Sequence, residues 1–209
     1  MRHSLVLKTL IVALPIIVIG WYSIISMRAP VHQNNLCKMF KEHPAWYWSA
    51  QEAQKRWGVP ISVQMAIIHR ESHFRAAVKP HAERLLGFIP WLRPTSAEGY
   101  AQAVDGTWQE YLSSTQQRSA RRSSFSNSVD FVGWYVDKLH HQLKIPKSDA
   151  ASMYMAYYLG PGGYRAGRYQ NNPWLLNVAH KVGEQQTMYH DALVRCSSTL
   201  PKRPWWRVW

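Results

Sequence analysis

Residues 60–74 read PISVQMAIIHRESHF. Pro60 and Ser62 suit the start of a helix, because proline's fixed φ fits the first turn and serine can cap it. Wound at about 100° per residue, Val63 to Phe74 place Glu71 on one face with Gln64, Ile67, Ile68 and Phe74. His69 and His73 fall roughly 160° to either side of Glu71, on the opposite face. The carboxylate therefore belongs to the apolar stripe, close to the helix's C-terminal end. A carboxylate held against apolar side chains resists ionisation, so its pKa rises. That is the setting of a general acid still protonated near neutral pH. The alternative is a structural glutamate satisfied by a buried arginine or by backbone donors. A zinc site is the third reading, but the metalloprotease spacing is H-E-x-x-H and this chain has H-x-E-x-H. Glu71 would point away from a metal held by the two histidines. We expect no metal here, with His69 and His73 as solvated or supporting groups.

Around this stretch the patterns are helical. SAQEAQKRWG opens with Ser49 and Glu52 at capping-box spacing and stops at Gly58. Further helices are expected in GYAQAVDGTWQEYL, SVDFVGWYVDKLHHQL, SDAASMYMAYYLG and PWLLNVAHKVGEQQTMYHDALVRC. Residues 75–98, with prolines at 80, 90 and 94 around LLGFIPWL, read as a long, partly buried loop of the kind that often carries function. The serine-rich, basic QQRSARRSSFSNS reads as an exposed connector. No run alternates long enough to predict a strand.

The chain has 209 residues, 46% of them hydrophobic and 18% charged, enough for one packed domain plus tails. Lys and Arg number 25 against 12 Asp and Glu, a net charge of +13. That balance favours an anionic partner: nucleic acid, an anionic lipid face or an acidic cell-wall polymer. Eleven tryptophans and eleven tyrosines supply flat rings that suit sugars, bases or a membrane interface as well as a core. The uncharged run Thr9 to Met27 approaches the ~20 residues a helix needs to cross a bilayer. Arg2 and Lys8 precede it, and Trp21 and Tyr22 suit its interfacial end. It lacks the small-residue cleavage site of a secretory signal, so a single-pass anchor is expected. Cys37 and Cys196 lie near the two ends of the remaining chain and could pair in an oxidising compartment. The expected division is an anchor over 1–27, a connector over 28–48, a mainly α domain over 49–198 and a basic, Trp-rich tail over 199–209. That tail could lie on a membrane or stack on sugars.

Three motifs occur in order: ES-x-F at Glu71, Ser72 and Phe74; GYAQ at Gly99 to Gln102; and AYYLGPGGY from Ala156 to Tyr164. On a mainly α chain behind an apolar leader, the set resembles the soluble-lytic-transglycosylase (SLT) domain. This is a lysozyme-like family nearest to goose-type lysozyme, and the likeness spans about residues 60–165. It implies an enzyme that cleaves the bond between N-acetylmuramic acid and N-acetylglucosamine in peptidoglycan, leaving a 1,6-anhydro end and needing no cofactor. By motif position Glu71 would be the one catalytic acid and base. Ser72, Tyr100, Gln102, Tyr157, Tyr158 and Gly160 would bind substrate. Two departures stand out: GYAQ replaces the family's Gly-Leu-Met-Gln, and Tyr158 stands where the family has asparagine. The runner-up is a hydrolase with Asp105 as second carboxylate. A non-catalytic peptidoglycan-binding scaffold is the other alternative. The implied partners are peptidoglycan glycan strands, the inner membrane through the leader, and a secretion or conjugation machine, with the domain in the periplasm. The apolar leader and an expected disulfide between Cys37 and Cys196 argue against nucleic acid.

Overall fold

Gln64 to Ile68 are all buried, so the helix that carries Glu71 is covered on every side in its middle turns. The computed structural model describes residues 29–78, 83–85, 89–92 and 95–205. The run Thr9 to Met27 lies outside them. Among the described residues no helix is long and apolar enough to cross a membrane.

Seven helices are described: α1 (Leu36–Glu42), α2 (Pro44–Trp57), α3 (Ile61–Ser72), α4 (Asp105–Thr115), α5 (Phe125–Leu143), α6 (Ala150–Arg165) and α7 (Pro173–Cys196). A small antiparallel hairpin, β1 (Glu83–Leu85) and β2 (Ile89–Leu92), lies between α3 and α4. The architecture is mainly α, as the periodicity predicts. Helix α3 packs on α2, α5, α6 and α7, and α6 packs on α7.

Three local expectations change. Helix α2 begins at Pro44, not Ser49: proline at the first helical position needs no N–H partner, and His43 serves as N-cap. Ser49 lies inside the helix, its hydroxyl donating to the Ala45 carbonyl at 2.9 Å. Much of the stretch taken as a connector is thus helix and core, with Leu36, Met39 and Phe40 of α1 fully buried. Their i, i+3, i+4 spacing marks one helix face, but over a run too short to stand out. The loop expected over 75–98 contains the β1–β2 hairpin. Strands of three and four residues, one of them holding Pro90, give no readable alternation.

Helix α5 brings Phe131 and Trp134 against Trp108 and Tyr111 of α4, and Tyr135 extends the aromatic cluster from Phe131 to Tyr157 of α6. Asp130 ties neighbouring segments together. It accepts hydrogen bonds from Trp57 Nε1 (2.8 Å), the Tyr111 hydroxyl (2.8 Å) and Gln117 Nε2 (2.9 Å), and it pairs with Arg56.

The GYAQ turn is held by close backbone approach. Gly99 has φ of 78°, and a Cβ there would stand 2.1 Å from the Arg122 carbonyl oxygen. The next residue, Tyr100, donates its N–H to that same oxygen at 3.3 Å. Gly99→Ala meets both a backbone clash and a left-handed φ, so it should lower unfolding stability by about 3 kcal/mol. Chemical denaturation of the two proteins side by side measures this.

Cys37 and Cys196 form a disulfide with Cα atoms 6.0 Å apart, joining α1 to the end of α7. The bond suggests an extracytoplasmic setting, because cytosolic thiols stay reduced. The start of the tail folds back on α2. Leu200 is buried, the Pro201 carbonyl accepts from Trp48 Nε1 at 2.7 Å, and Arg203 pairs with Glu52 at 3.1 Å.

Candidate active site

Glu71 and Ser72 are the last two residues of α3. His73 and Phe74 follow with φ of 50° and 58°, two left-handed residues in succession without glycine. Bulky residues resist that conformation, at a cost of order 1 kcal/mol each. The surrounding packing holds the turn in place: Phe74 is fully buried, stacked on His69 (5.3 Å, 17°) and against Trp46. Helical extrapolation put Phe74 on the Glu71 face. The two left-handed residues swing it instead to the His69 side, clearing the end of α3 around the carboxylate.

His69 is not a solvated group. Its Nδ1 lies 3.0 Å from the Tyr189 hydroxyl of α7, and that hydroxyl donates to the Gln33 carbonyl. Burial, with help from neighbouring His73, lowers its pKa to about 4, so it stands neutral behind α3 as a brace. His73 is exposed. Among the described residues no group of three or more His, Cys, Asp or Glu is placed to hold a metal ion.

Glu71 opens onto a cleft of about 580 Å³. Its walls come from the 95–107 segment, from Phe131 and Tyr135 of α5, and from Tyr157 to Gly160 of α6. Of the expected site residues, Glu71, Gln102, Tyr157, Tyr158 and Gly160 meet there. Tyr100 does not: it is 2% exposed and packs edge-on to Trp46 and Phe125. Ser72 is buried too, and its hydroxyl donates back to the Ile68 carbonyl (3.2 Å), not to Glu71. Asp105 is absent from the cleft lining and sits in the first turn of α4, paired with Arg122 at 2.6 Å.

The polar groups of the cleft have firm protein partners. Gln102, itself at φ of 46°, donates from Nε2 to the Val78 and Gly99 carbonyls at 2.9 and 2.8 Å. The Tyr157 hydroxyl donates to the Ala101 carbonyl at 2.7 Å, bolting α6 to the GYAQ turn. Both line the cleft wall with these donors already engaged. The AYYLGPGG run acts through its backbone. Gly160 takes φ of 68° and ψ of 168°, which breaks α6 just before Pro161 starts a new turn. That kink sets Tyr158, Leu159 and Gly160 along the rim.

One partner escaped the sequence reading. Tyr154, three residues before Tyr157 and so on the same helix face, is a buried neighbour of Glu71 and Arg70 whose hydroxyl favours the ionised carboxylate. The i−3 spacing from Tyr157 was the available signal. Burial pushes Glu71 up to about 7, and the Tyr154 hydroxyl and the Arg70 charge only partly oppose it. Tyr154 and Tyr157 are themselves pushed well above their ordinary range, by burial first and then by the charge of Glu71. Both remain neutral. The cleft therefore holds an acid poised near neutrality beside a tyrosine donor that favours its ionised form.

The chain matches the transglycosylase SLT domain family over residues 10–196. It belongs to that family. No curated protein matches the chain. SLT domains are lytic transglycosylases that act on peptidoglycan, so this chain is an enzyme of that class. In this SLT domain the cleft carboxyl of Glu71 is pushed by burial to about 7. Tyr154→Phe should move the alkaline limb of its activity up by about one pH unit, because a hydroxyl that favours the charged carboxylate is removed, an effect of roughly 1.5 kcal/mol. A pH–rate profile on purified cell walls measures that shift, and an unmoved limb would remove Tyr154 from the site.

Proposed function

We propose that this protein cleaves the β-1,4 bond between N-acetylmuramic acid and N-acetylglucosamine, with Glu71 as its one acid and base. The observation that carries the reading is that Glu71 is the sole carboxylate among the described residues lining the cleft. Protonated Glu71 gives its proton to the glycosidic oxygen as the bond from the muramic C1 breaks. The resulting carboxylate then takes the proton of the same sugar's C6 hydroxyl. That oxygen bonds to C1 and closes the 1,6-anhydro ring. Each step uses one proton on one carboxyl, so no enzyme nucleophile or activated water is needed. A pKa near 7 suits both roles, since neither form is far from reach at neutral pH.

The exposure of Asp105 and its pairing with Arg122 weigh against the two-carboxylate hydrolase. The net charge of +13 suits the anionic polymers of a cell envelope. With Thr9 to Met27 as a single-pass inner-membrane anchor, the disulfide-bonded domain would work in the periplasm. Such a small, tethered enzyme suits local opening of the wall for an envelope-spanning secretion or conjugation machine. The deciding experiment digests purified sacculi and weighs the products by mass spectrometry. Anhydro-ended muropeptides are expected; reducing ends alone would overturn the assignment in favour of hydrolysis.

A further inference from the structure

Beside the cleft, two large aromatic side chains lie open to solvent. Tyr158 and Trp174 are each 52% exposed, whereas Trp46, Trp108, Tyr111 and Trp134 are all 8% exposed or less. The exposed rings belong together, with centroids 5.5 Å apart at 57°. Neither rides on a loose segment. Tyr158 precedes the Gly160 kink in α6, and Trp174 is the second residue of α7. There Pro173 and the Asn172 cap, whose side chain accepts from the Leu175 N–H at 3.0 Å, fix the first turn. Tyr158 lines the Glu71 cleft and Trp174 stands one ring further out. The Arg70 guanidinium lies 5.8 Å from the Trp174 ring centroid.

We propose that Tyr158 and Trp174 form a stacking platform that extends the Glu71 cleft by one more subsite, taking the ring face of an N-acetylhexosamine in a glycan strand. The proposal rests on the glycan-strand reading above. A β-linked aminosugar carries its polar substituents around the ring edge and presents C–H bonds on its faces. An exposed indole offers a rigid, apolar surface to such a face at little entropic cost. Continuity with the cleft names the occupant, because Tyr158 lines the cleft that Glu71 faces and a strand held there can run on across its ring. The departure from the family pattern at Tyr158 gains a role here: a larger ring meets Trp174 where an asparagine could not stack.

Arg70 calls for a control. Its guanidinium lies over the Trp174 ring and its charge also acts on Glu71, so removing the indole could act through the acid. The test therefore begins with Glu71→Gln protein, which cannot turn over, titrated calorimetrically with peptide-free peptidoglycan glycan strands. Adding Trp174→Ala should weaken binding about ten-fold, and Trp174→Phe should restore most of it. In the active protein, Trp174→Ala should raise KM with kcat and the alkaline limb nearly unchanged. Undiminished affinity in Trp174→Ala overturns the platform alone. A lower kcat with a shifted limb at constant KM would make Trp174 a positioning residue for Arg70, and also overturns it. Failure of the Glu71→Gln protein to bind any strand would overturn the glycan reading together with the platform. If the Trp174→Ala variant fails to fold, Tyr158→Asn in the same Glu71→Gln background removes the other ring and should weaken binding likewise; undiminished affinity there overturns the platform.

Discussion

Glu71→Gln should abolish the release of soluble muropeptides, with kcat down by about 10³-fold or more. Glutamine nearly matches the shape of glutamate but can neither give nor take the proton, and general acid–base catalysis alone contributes on the order of 10²–10⁴. Here one carboxyl performs both transfers, so losing it should cost the upper end of that range. The same substitution carries a second signature that a merely inactive, misfolded protein would not show. The folded-state pKa of Glu71 is raised from the ordinary carboxylate value of 4.5 to about 7. Between those values the native protein holds a proton that the unfolded chain releases. The contribution of Glu71 to stability is therefore fully present below pH 4.5 and is lost as pH rises through about 7. Discounted for the carboxylate's opening onto the cleft, the loss is about 2 kcal/mol. Glutamine does not titrate and escapes it. Glu71→Gln should thus melt about 5 °C higher than wild type at pH 8 and at nearly the same temperature at pH 4. An inactive variant that is also more stable at alkaline pH ties the activity to a carboxyl held out of its comfort range. Retained cleavage by Glu71→Gln would remove the assignment.

Opening the Cys37–Cys196 disulfide should be the largest single loss of stability. The bond closes a loop across a sequence separation of 159 residues. In the chain-entropy view a cross-link of that length constrains the unfolded chain by about 5 kcal/mol. That is comparable with the whole stability of many domains, about 5–15 kcal/mol. The bond also docks α1 against the end of α7, where Leu36, Met39 and Phe40 join the core. A Cys37→Ser, Cys196→Ser double variant should unfold at much lower denaturant than the oxidised protein, and reductant should lower the wild type to match it. Equal midpoints with and without reductant would show that α1 packing alone secures the chain ends. An active enzyme with this dependence would be confined to an oxidising compartment.

Much of this was legible beforehand because helices announce themselves locally. The spacing of Gln64, Ile67 and Ile68 placed Glu71 on the buried stripe, and three ordered motifs marked the SLT family. The position of the two cysteines near the ends of the domain allowed a bond between them, and the fold brings them together. What stayed hidden depended on neighbours distant in sequence. Nothing in HRESHF tells that Phe74 turns back onto His69, because the left-handed turn is held by Trp46. Nothing in GYAQ separates Tyr100, which disappears among Trp46 and Phe125, from Gln102 two residues on. Ser72 sits beside Glu71 in sequence, yet its hydroxyl bonds its own helix, whereas Tyr154, 83 positions away, reaches the carboxylate.

The sequence by itself determined the helical class and the acid on the apolar face of α3, because each is written in spacings of a few residues. Only the tertiary structure decided which groups surround that acid, that its pKa lies near 7, and that Trp174 joins Tyr158 at the rim. Burial and hydrogen bonding are set by how α3, α5, α6 and α7 pack, and packing depends on the whole set of side chains together.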